Sequence, residues 1–384
     1  MQEHSGIVGG AGDRKTVLQC PAPSHPGPSS TVSSAMQPIN LNQRPVGPGH
    51  SPFVVAELSA NHNGSLERAL RLVEVASEAG ADAVKLQTYR PDTMTIASDA
   101  PEFQITEGLW AGKTLHELYE WAHMPWEWHE PLFKRAHELG LTIFSSPFDA
   151  TAVDYLQRLN APAYKIASFE LVDLPLIRRA AATGKPLILS TGAAARNEIE
   201  EAVAAARATG CRELALLHCV SAYPADAADY DLGTIADLAR QFDVPVGLSD
   251  HTPDNATAIA AVALGACLIE KHFTLSRDDG GPDDSFSLEP DALKQLCRDV
   301  KTAWASAGRI RREPKAAEKE AARFRRSLYV VQDIRTGDTF TADNVRSIRP
   351  GLGMAPKHLG EVLGKTAARD ISRGTPLDLS MFEK

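Results

Sequence analysis

The sequence predicts an α/β fold, a (β/α)8 barrel followed by a small, mostly β domain. Three observations predict it. From Phe53 onward, short apolar runs alternate with amphipathic stretches, the pattern of a parallel sheet with helical crossovers. Eight such units occupy roughly 250 residues, the number that closes a barrel. Beyond residue 327 the pattern changes to two related short β units with no strong helix.

The strand-like runs are, in order, FVVAE (53–57), AVKLQ (83–87), LTIFS (141–145), AYKIA (163–167), PLILS (186–190), LALLH (214–218), PVGLS (245–249) and CLIEKHF (267–273). Between them, stretches such as SLERALRLVEVASEAG and RNEIEEAVAAARATG carry apolar residues at three- and four-residue intervals, the period of a helix with one buried face. Ser65 is placed to cap the first of these, and Gly80 to end it. The segment 91–126, with Trp110 and Trp121, is longer than a simple connection and is expected to cover the barrel mouth.

DIRTGDTFTADNV (333–345) and DISRGTPLDLSMF (370–382) form a quasi-repeat: Asp-Ile, a glycine turn, then apolar alternation. The charged run PKAAEKEAARFRR precedes it. The expected division is a disordered leader (1–49), the barrel (50–310), a linker (311–326) and the β domain (327–384). The leader is rich in Gly, Pro and Ser without hydrophobic period. It lacks a basic start followed by an apolar stretch, so no secretory signal is expected. Met36 is an alternative start, and residues 1–35 are expected to be dispensable.

No apolar run approaches the roughly 20 residues needed to cross a bilayer. A net charge of −9 argues against nucleic acid as a partner, because such binding depends on neutralising phosphates. An anionic ligand would need a local cluster of cations. The five cysteines form no CxxC pair; Cys219 and Cys267 lie in apolar runs and are expected to be buried free thiols, which fits a reducing cytoplasm.

Reactive residues of such barrels gather at the C-terminal ends of the strands. There VGLSDHT places His251 after strand seven, and CLIEKHFT places His272 on strand eight. Side chains alternate along a strand, so Ser249 shares a face with His251, and Glu270 with His272. Neighbouring strands lie about 4.8 Å apart. Two imidazole nitrogens on one metal sit roughly 3 Å apart, a separation that adjacent strand ends can supply. Two histidines leave coordination positions for water and substrate, the open pattern of a catalytic metal. His218, ending strand six, is a further candidate, as a residue behind the metal or facing the substrate. Lys85 and Gln87 end strand two; Lys165 and Ser168 end strand four; Ser146 follows strand three; Ser190 ends strand five. A lysine inside an apolar strand is costly unless it meets an anion, so this ring suits a phosphate plus a carboxylate. Structural pairing of the lysines with Glu57 or Glu170 is the plainer alternative. Glu57, ending strand one, is a candidate acid-base group.

The segments AELSANHNGSLERA, AVKLQTYRPDTMT, YKIASFE, LILSTG, GLSDHT, EKHFTL and SIRPGLG together resemble the sialic acid synthase family, over about residues 50 to 384. That resemblance implies a barrel followed by an antifreeze-like (SAF) domain, and condensation of phosphoenolpyruvate with an N-acylated amino sugar. ELSANHNGS, KLQTYRPDTMT and DDSFSLEP most resemble the branch that makes pseudaminic acid from 2,4-diacetamido-2,4,6-trideoxy-altrose. The resemblance further implies a divalent metal, Mn²⁺ above others, on His251 and His272. It implies phosphoenolpyruvate on Lys85, Ser146, Lys165, Ser168, Ser190 and Ser249, with Glu57 matching the catalytic glutamate. It implies the sugar on Gln87, Tyr223, Asp283 and Arg349, Arg349 reaching the partner chain's site in a domain-swapped homodimer. Ser221 stands where the sialic branch has an asparagine that touches the sugar, and Asp284 competes with Asp283.

Three other readings are open to the same residues. An N-acetylneuraminate or legionaminate synthase would differ only in acceptor. A lysine-dependent aldolase would use Lys85 or Lys165 as a Schiff base. A non-catalytic sugar-binding protein would keep the fold alone.

Overall fold

The computed structural model describes residues 36–308 and 312–383. They divide between Ala307 and Gly308 into two compact units. Residues 1–35, where the leader was expected to be dispensable, lie outside the described residues, as does Cys20.

The first unit is a closed barrel of eight parallel strands. These are β3 (Phe53–Glu57), β4 (Ala83–Thr88), β5 (Thr142–Pro147), β6 (Tyr164–Ile166), β7 (Leu187–Ser190), β8 (Leu214–Cys219), β9 (Val246–Asp250) and β10 (Leu268–His272). Strand β10 pairs with both β9 and β3, which closes the ring. The helix Leu66–Ala79 follows β3 as its spacing predicts. The Ser65 side chain accepts from Arg68 N, and Gly80 ends the helix at φ 87°, a conformation glycine adopts without a Cβ clash. A cap of this kind contributes about 1 kcal/mol.

Alternation along the strands sorts the core. Val54, Val84, Ile143 and Leu189 face the helices and pack with Leu72, Val73 and Ile177. Phe53, Val55, Ala83, Phe144, Ile188 and Leu217 face inward and fill the lower barrel. That leaves the upper interior for polar residues.

The expectation of a disordered leader through residue 49 needs correction. Strands β1 (Ile39–Leu41) and β2 (Arg44–Val46) form an antiparallel hairpin. Its two-residue loop, Asn42 and Gln43, has φ values of 51° and 69°, the left-handed pair of a tight hairpin turn. Ile39, Leu41 and Val46 pack against Phe53, Phe144 and Leu268 and so plug the barrel floor. Asn40 N donates to Glu213 Oε1 at 2.7 Å, and Arg44 pairs with Asp82.

Residues 312–326 are likewise no free linker. They contain 3-10 turns at Ala316–Glu318 and Ala321–Phe324, and Gly351 N donates to Arg323 O at 2.9 Å, so they belong to the second unit. There β11 (Ser327–Val330) pairs antiparallel with β12 (Val345–Ile348). The two copies of the quasi-repeat face each other. Ile334 and Ile371 exchange both backbone hydrogen bonds, at 2.9 and 2.7 Å. Thr336 N donates to Asp370 Oδ1, and in mirror fashion Arg373 N donates to Asp333 Oδ1, each at 2.7 Å. Gly337 and Gly374 have φ 86° and 88° at matching positions. Val330, Ile334, Phe340, Ile371 and Phe382 form the unit's own core.

Candidate active site

The upper interior of the barrel holds a layer of ionised side chains that no hydrocarbon environment would tolerate singly. Register places them side by side: His272 opposite Glu57, Glu57 opposite Lys85, Gln87 opposite Ser146, and Ser249 opposite Glu270. Lys85 Nζ lies 2.9 Å from Glu57 Oε2 and 3.4 Å from Glu270 Oε1, and donates to Ser146 Oγ at 3.2 Å. Lys165 Nζ donates to the same Glu270 Oε1 at 3.1 Å, and Ser249 Oγ donates to it at 3.2 Å. Two ammonium groups therefore face two carboxylates. The charges balance, so each is bearable in a low dielectric.

The balance sets the protonation. Burial alone would depress Lys85, but Glu270 and Glu57 outweigh it and hold the ammonium above its usual range. Burial depresses Lys165, and Glu270 offsets only part of that. Burial would raise Glu270, but Lys165 and Lys85 bring it down to about 2. Glu57 ends on the other side: burial raises its carboxyl more than Lys85 lowers it. Gln87 Nε2 donates to Glu57 Oε1 and to Ser59 Oγ, both at 3.0 Å, and Ser59 Oγ donates to Asp283 Oδ2. Burial holds Asp283 at about 6.

The two histidines do come together. The His251 and His272 rings lie 5.4 Å apart, and Tyr223 packs 4.4 Å from the His251 ring and 6.3 Å from that of His272. His251 Nδ1 is 2.8 Å from Val220 O, a bond that leaves Nε2 facing elsewhere, and Cys219 meets the ring. His272 Nδ1 is buried without a hydrogen-bond partner and lies 3.8 Å from Asp283 Oδ2. Burial, then the neighbouring His251 and Lys85, push His272 well below its ordinary pKa, so its ring is neutral. A neutral imidazole with an unpartnered buried nitrogen beside a second imidazole is a donor set that fits a divalent cation. Among the described residues no cluster of three His, Cys, Asp or Glu donors that could hold a metal occurs.

A buried frame fixes the loop that carries His251. On the outer face of the barrel, Lys271 Nζ donates to Asp250 Oδ2 at 2.9 Å, Thr252 O at 2.7 Å and Asp254 O at 2.5 Å. His251 N donates to Tyr230 OH at 2.8 Å, and His218 bonds Tyr230 O. His218 thus stands behind the histidine pair.

Above this layer lies a cavity of about 490 Å³ whose lining includes Ser59, Gln87, Ser168, Ser221, Tyr223, His272 and Asp283. Gly192 N donates to Ser168 Oγ at 3.2 Å. A Cβ on Gly192 would lie 2.3 Å from Ser221 Oγ and 2.7 Å from Ser168 Oγ, so only glycine lets these hydroxyls crowd together. Ser190, 1 % exposed, ends β7 with its Oγ unpartnered among the described residues.

Of the two competing aspartates, Asp283 faces the cavity. Asp284 is engaged below it by Asn63, Thr274 and Arg68. Arg349 is exposed on the loop after β12, in the second unit.

The sequence reading gave Glu270 no charge role, though its place on one face with His272 signalled one. Glu170 was weighed only as a lysine partner. It lines the cavity with Oε2 buried and unpartnered, and burial raises it to about 7.

Comparison with known proteins finds relatives over most of the chain. Residues 72–312 match the NeuB family, and residues 325–383 match the SAF domain. The chain is 44 % identical over 335 residues to a pseudaminic acid synthase of Helicobacter pylori, spanning 87 % of this chain and 98 % of that protein. It is 43 % identical over 332 residues to a pseudaminic acid synthase of Campylobacter jejuni, spanning 86 % and 96 %. Among solved structures it resembles an N-acetylneuraminic acid synthetase of Leptospira borgpetersenii crystallised with citrate, at a TM-score of 0.67 and 31 % identity, covering 74 % of this chain and 95 % of that one.

Proposed function

The chain belongs to the NeuB family, and on that premise we propose that it is an enzyme that condenses phosphoenolpyruvate with 2,4-diacetamido-2,4,6-trideoxy-altrose and water, releasing pseudaminic acid and phosphate. The observation that carries this reading is the charged layer beside the histidine pair, under one cavity. It offers cations and hydroxyls for an enol phosphate next to a place for an electrophile.

His251 and His272 would hold the divalent cation, for which Mn²⁺ is the first choice. When bound there, such an ion polarises an aldehyde oxygen as a Lewis acid. Lys85, Lys165 and the hydroxyls of Ser146, Ser168, Ser190 and Ser249 bind phosphate and carboxylate. They hold C3 of phosphoenolpyruvate against the aldehyde carbon; orientation of this kind is worth up to several kcal/mol of the barrier. A C–C bond forms from C3, water adds at C2, and the C2–O bond to phosphate breaks. Glu57, raised by burial and bonded to Gln87, is suited to take the proton of the incoming water. Gln87, Tyr223 and Asp283 face the sugar. The chain works as a domain-swapped homodimer in which Arg349 closes the sugar site of the partner. Its exposure, with no partner among the described residues, supports that use.

Supplying phosphoenolpyruvate with each of three acceptors (the altrose derivative, N-acetylmannosamine and the legionaminate precursor) and following phosphate release tests the reading. Fastest release with the altrose derivative is expected. Preference for either other sugar reassigns the acceptor, and no release with any ends the proposal. Oxygen-18 in the bridging position of phosphoenolpyruvate is expected in the phosphate. His251→Ala and His272→Ala should each remove metal-dependent turnover.

A further inference from the structure

The cavity has two chemically different ends. Toward the strands it presents the polar groups of Ser59, Gln87, Tyr223, His272 and Asp283. The far wall comes from the segment between β4 and the helix His129–Glu138, where Met94, Leu118, Tyr119 and Ala122 stand with Phe148 beside them; Glu170 lines the cavity as well. This wall is fixed in place. Trp110 Nε1 donates to Pro282 O at 2.9 Å, tying the segment to the loop after β10. Trp126 Nε1 donates to Tyr89 O at 3.1 Å, and Tyr89 packs edge-on against Tyr119 and Phe148 at 5.8 and 5.3 Å. Leu118 is only 8 % exposed while lining the cavity, so its apolar side chain is held in the wall rather than free in solvent.

We propose that Met94, Leu118 and Ala122 determine acceptor specificity, seating the methyl carbons at the far end of a deoxygenated diacetamido sugar and rejecting hydroxyls at the same place. The inference rests on the acceptor reading above and names the residues by which that site enforces it. The physical reason is desolvation. An aldehyde held at the histidine pair directs the far end of the open-chain sugar away from the polar groups and onto this wall. A 6-methyl group gains there by leaving water. A hydroxyl would surrender its hydrogen bonds to water, and Met94, Leu118, Ala122 and Phe148 return none. An apolar pocket discriminates against an added hydroxyl by about 100-fold.

The test compares kcat/KM for 2,4-diacetamido-2,4,6-trideoxy-altrose and for N-acetylmannosamine, with saturating phosphoenolpyruvate and Mn²⁺, in the full chain and in Leu118→Asn and Met94→Gln. The unaltered chain is expected to favour the first sugar by about 100-fold. Each variant should cut that ratio by about 10-fold through the acceptor KM, with the KM for phosphoenolpyruvate unchanged, and Leu118→Met should restore it. Met94 lies part-exposed in the short helix Pro91–Met94, so its variant reports even where Leu118→Asn fails to fold. An unchanged ratio in variants that keep their phosphoenolpyruvate KM overturns the wall's role and leaves the acceptor reading standing. Failure of the unaltered chain to use the altrose derivative, with turnover of N-acetylmannosamine, overturns the acceptor reading itself.

Discussion

Glu170 and Lys271 show how single residues set the behaviour of this site. Glu170 stays protonated to about pH 7 because burial penalises its charge. Its folded pKa lies above its unfolded one, so the stability it contributes is complete below about 4.5 and is lost as pH rises to 7. Glu170→Gln removes that loss. The variant should unfold at higher urea than the parent at pH 8, by about 3 kcal/mol, and by little at pH 4.5. Equal midpoints at pH 8 would show that the carboxyl is not held protonated. The Lys271 side chain bonds none of the layer's side chains, yet its ammonium holds Asp250 and the backbone of 252–254, and so the position of His251. Lys271→Met should weaken Mn²⁺ binding, read by calorimetry, by about 10- to 100-fold, as loss of a supporting partner does at metal sites. Recovery of turnover at high Mn²⁺ would separate a positioning role from simple unfolding. These partners were invisible in the sequence: Lys271 reads there as one charge in EKHF, and only the outward face of β10 explains it.

At the scale of elements, the barrel strands and the helix caps were legible because their periods run over whole turns and pleats. The hairpin β1–β2 was not. Its strands are three residues each, shorter than any pattern can establish, and they sit in a Pro- and Gly-rich context that reads as disorder. Its role becomes visible only where Ile39, Leu41 and Val46 meet the open floor of the barrel. Burying three such side chains is worth on the order of 5 kcal/mol. Removing residues 1–50 should therefore lower the urea midpoint sharply, whereas removing residues 1–35 should not. Equal midpoints for the two would mean the plug contributes nothing. The segment 91–126 was read as a cover for the mouth from its length and tryptophans. Which of its residues line the cavity depended on the fold, because Met94 and Leu118 are brought together by helices too short for periodicity to orient.

For the whole molecule, two compact units share one chain, and each has its own core. Among the described residues no helix is long and apolar enough to cross a membrane. The homodimer proposed here carries its own test. A chain with Arg349→Ala mixed with a chain carrying Glu57→Gln should recover activity, toward a quarter of the unaltered level or more, if one chain's arginine completes the other's barrel. No recovery in proven mixed dimers would place both residues in a single subunit's site. The sequence by itself determined the architecture and most of the residues that meet in the candidate site. Strand and helix periods depend on neighbours in the chain, and side-chain alternation puts Ser249 with His251 and Glu270 with His272 whatever surrounds them. Only the tertiary structure decided which charges neutralise which. Glu270 serves two lysines from strands more than a hundred residues away in both cases, 105 positions for Lys165, and no local rule reaches that far. The same holds for protonation: Glu57 and Glu270 are the same residue type, and their opposite shifts arise from where burial and the two ammonium groups fall in space.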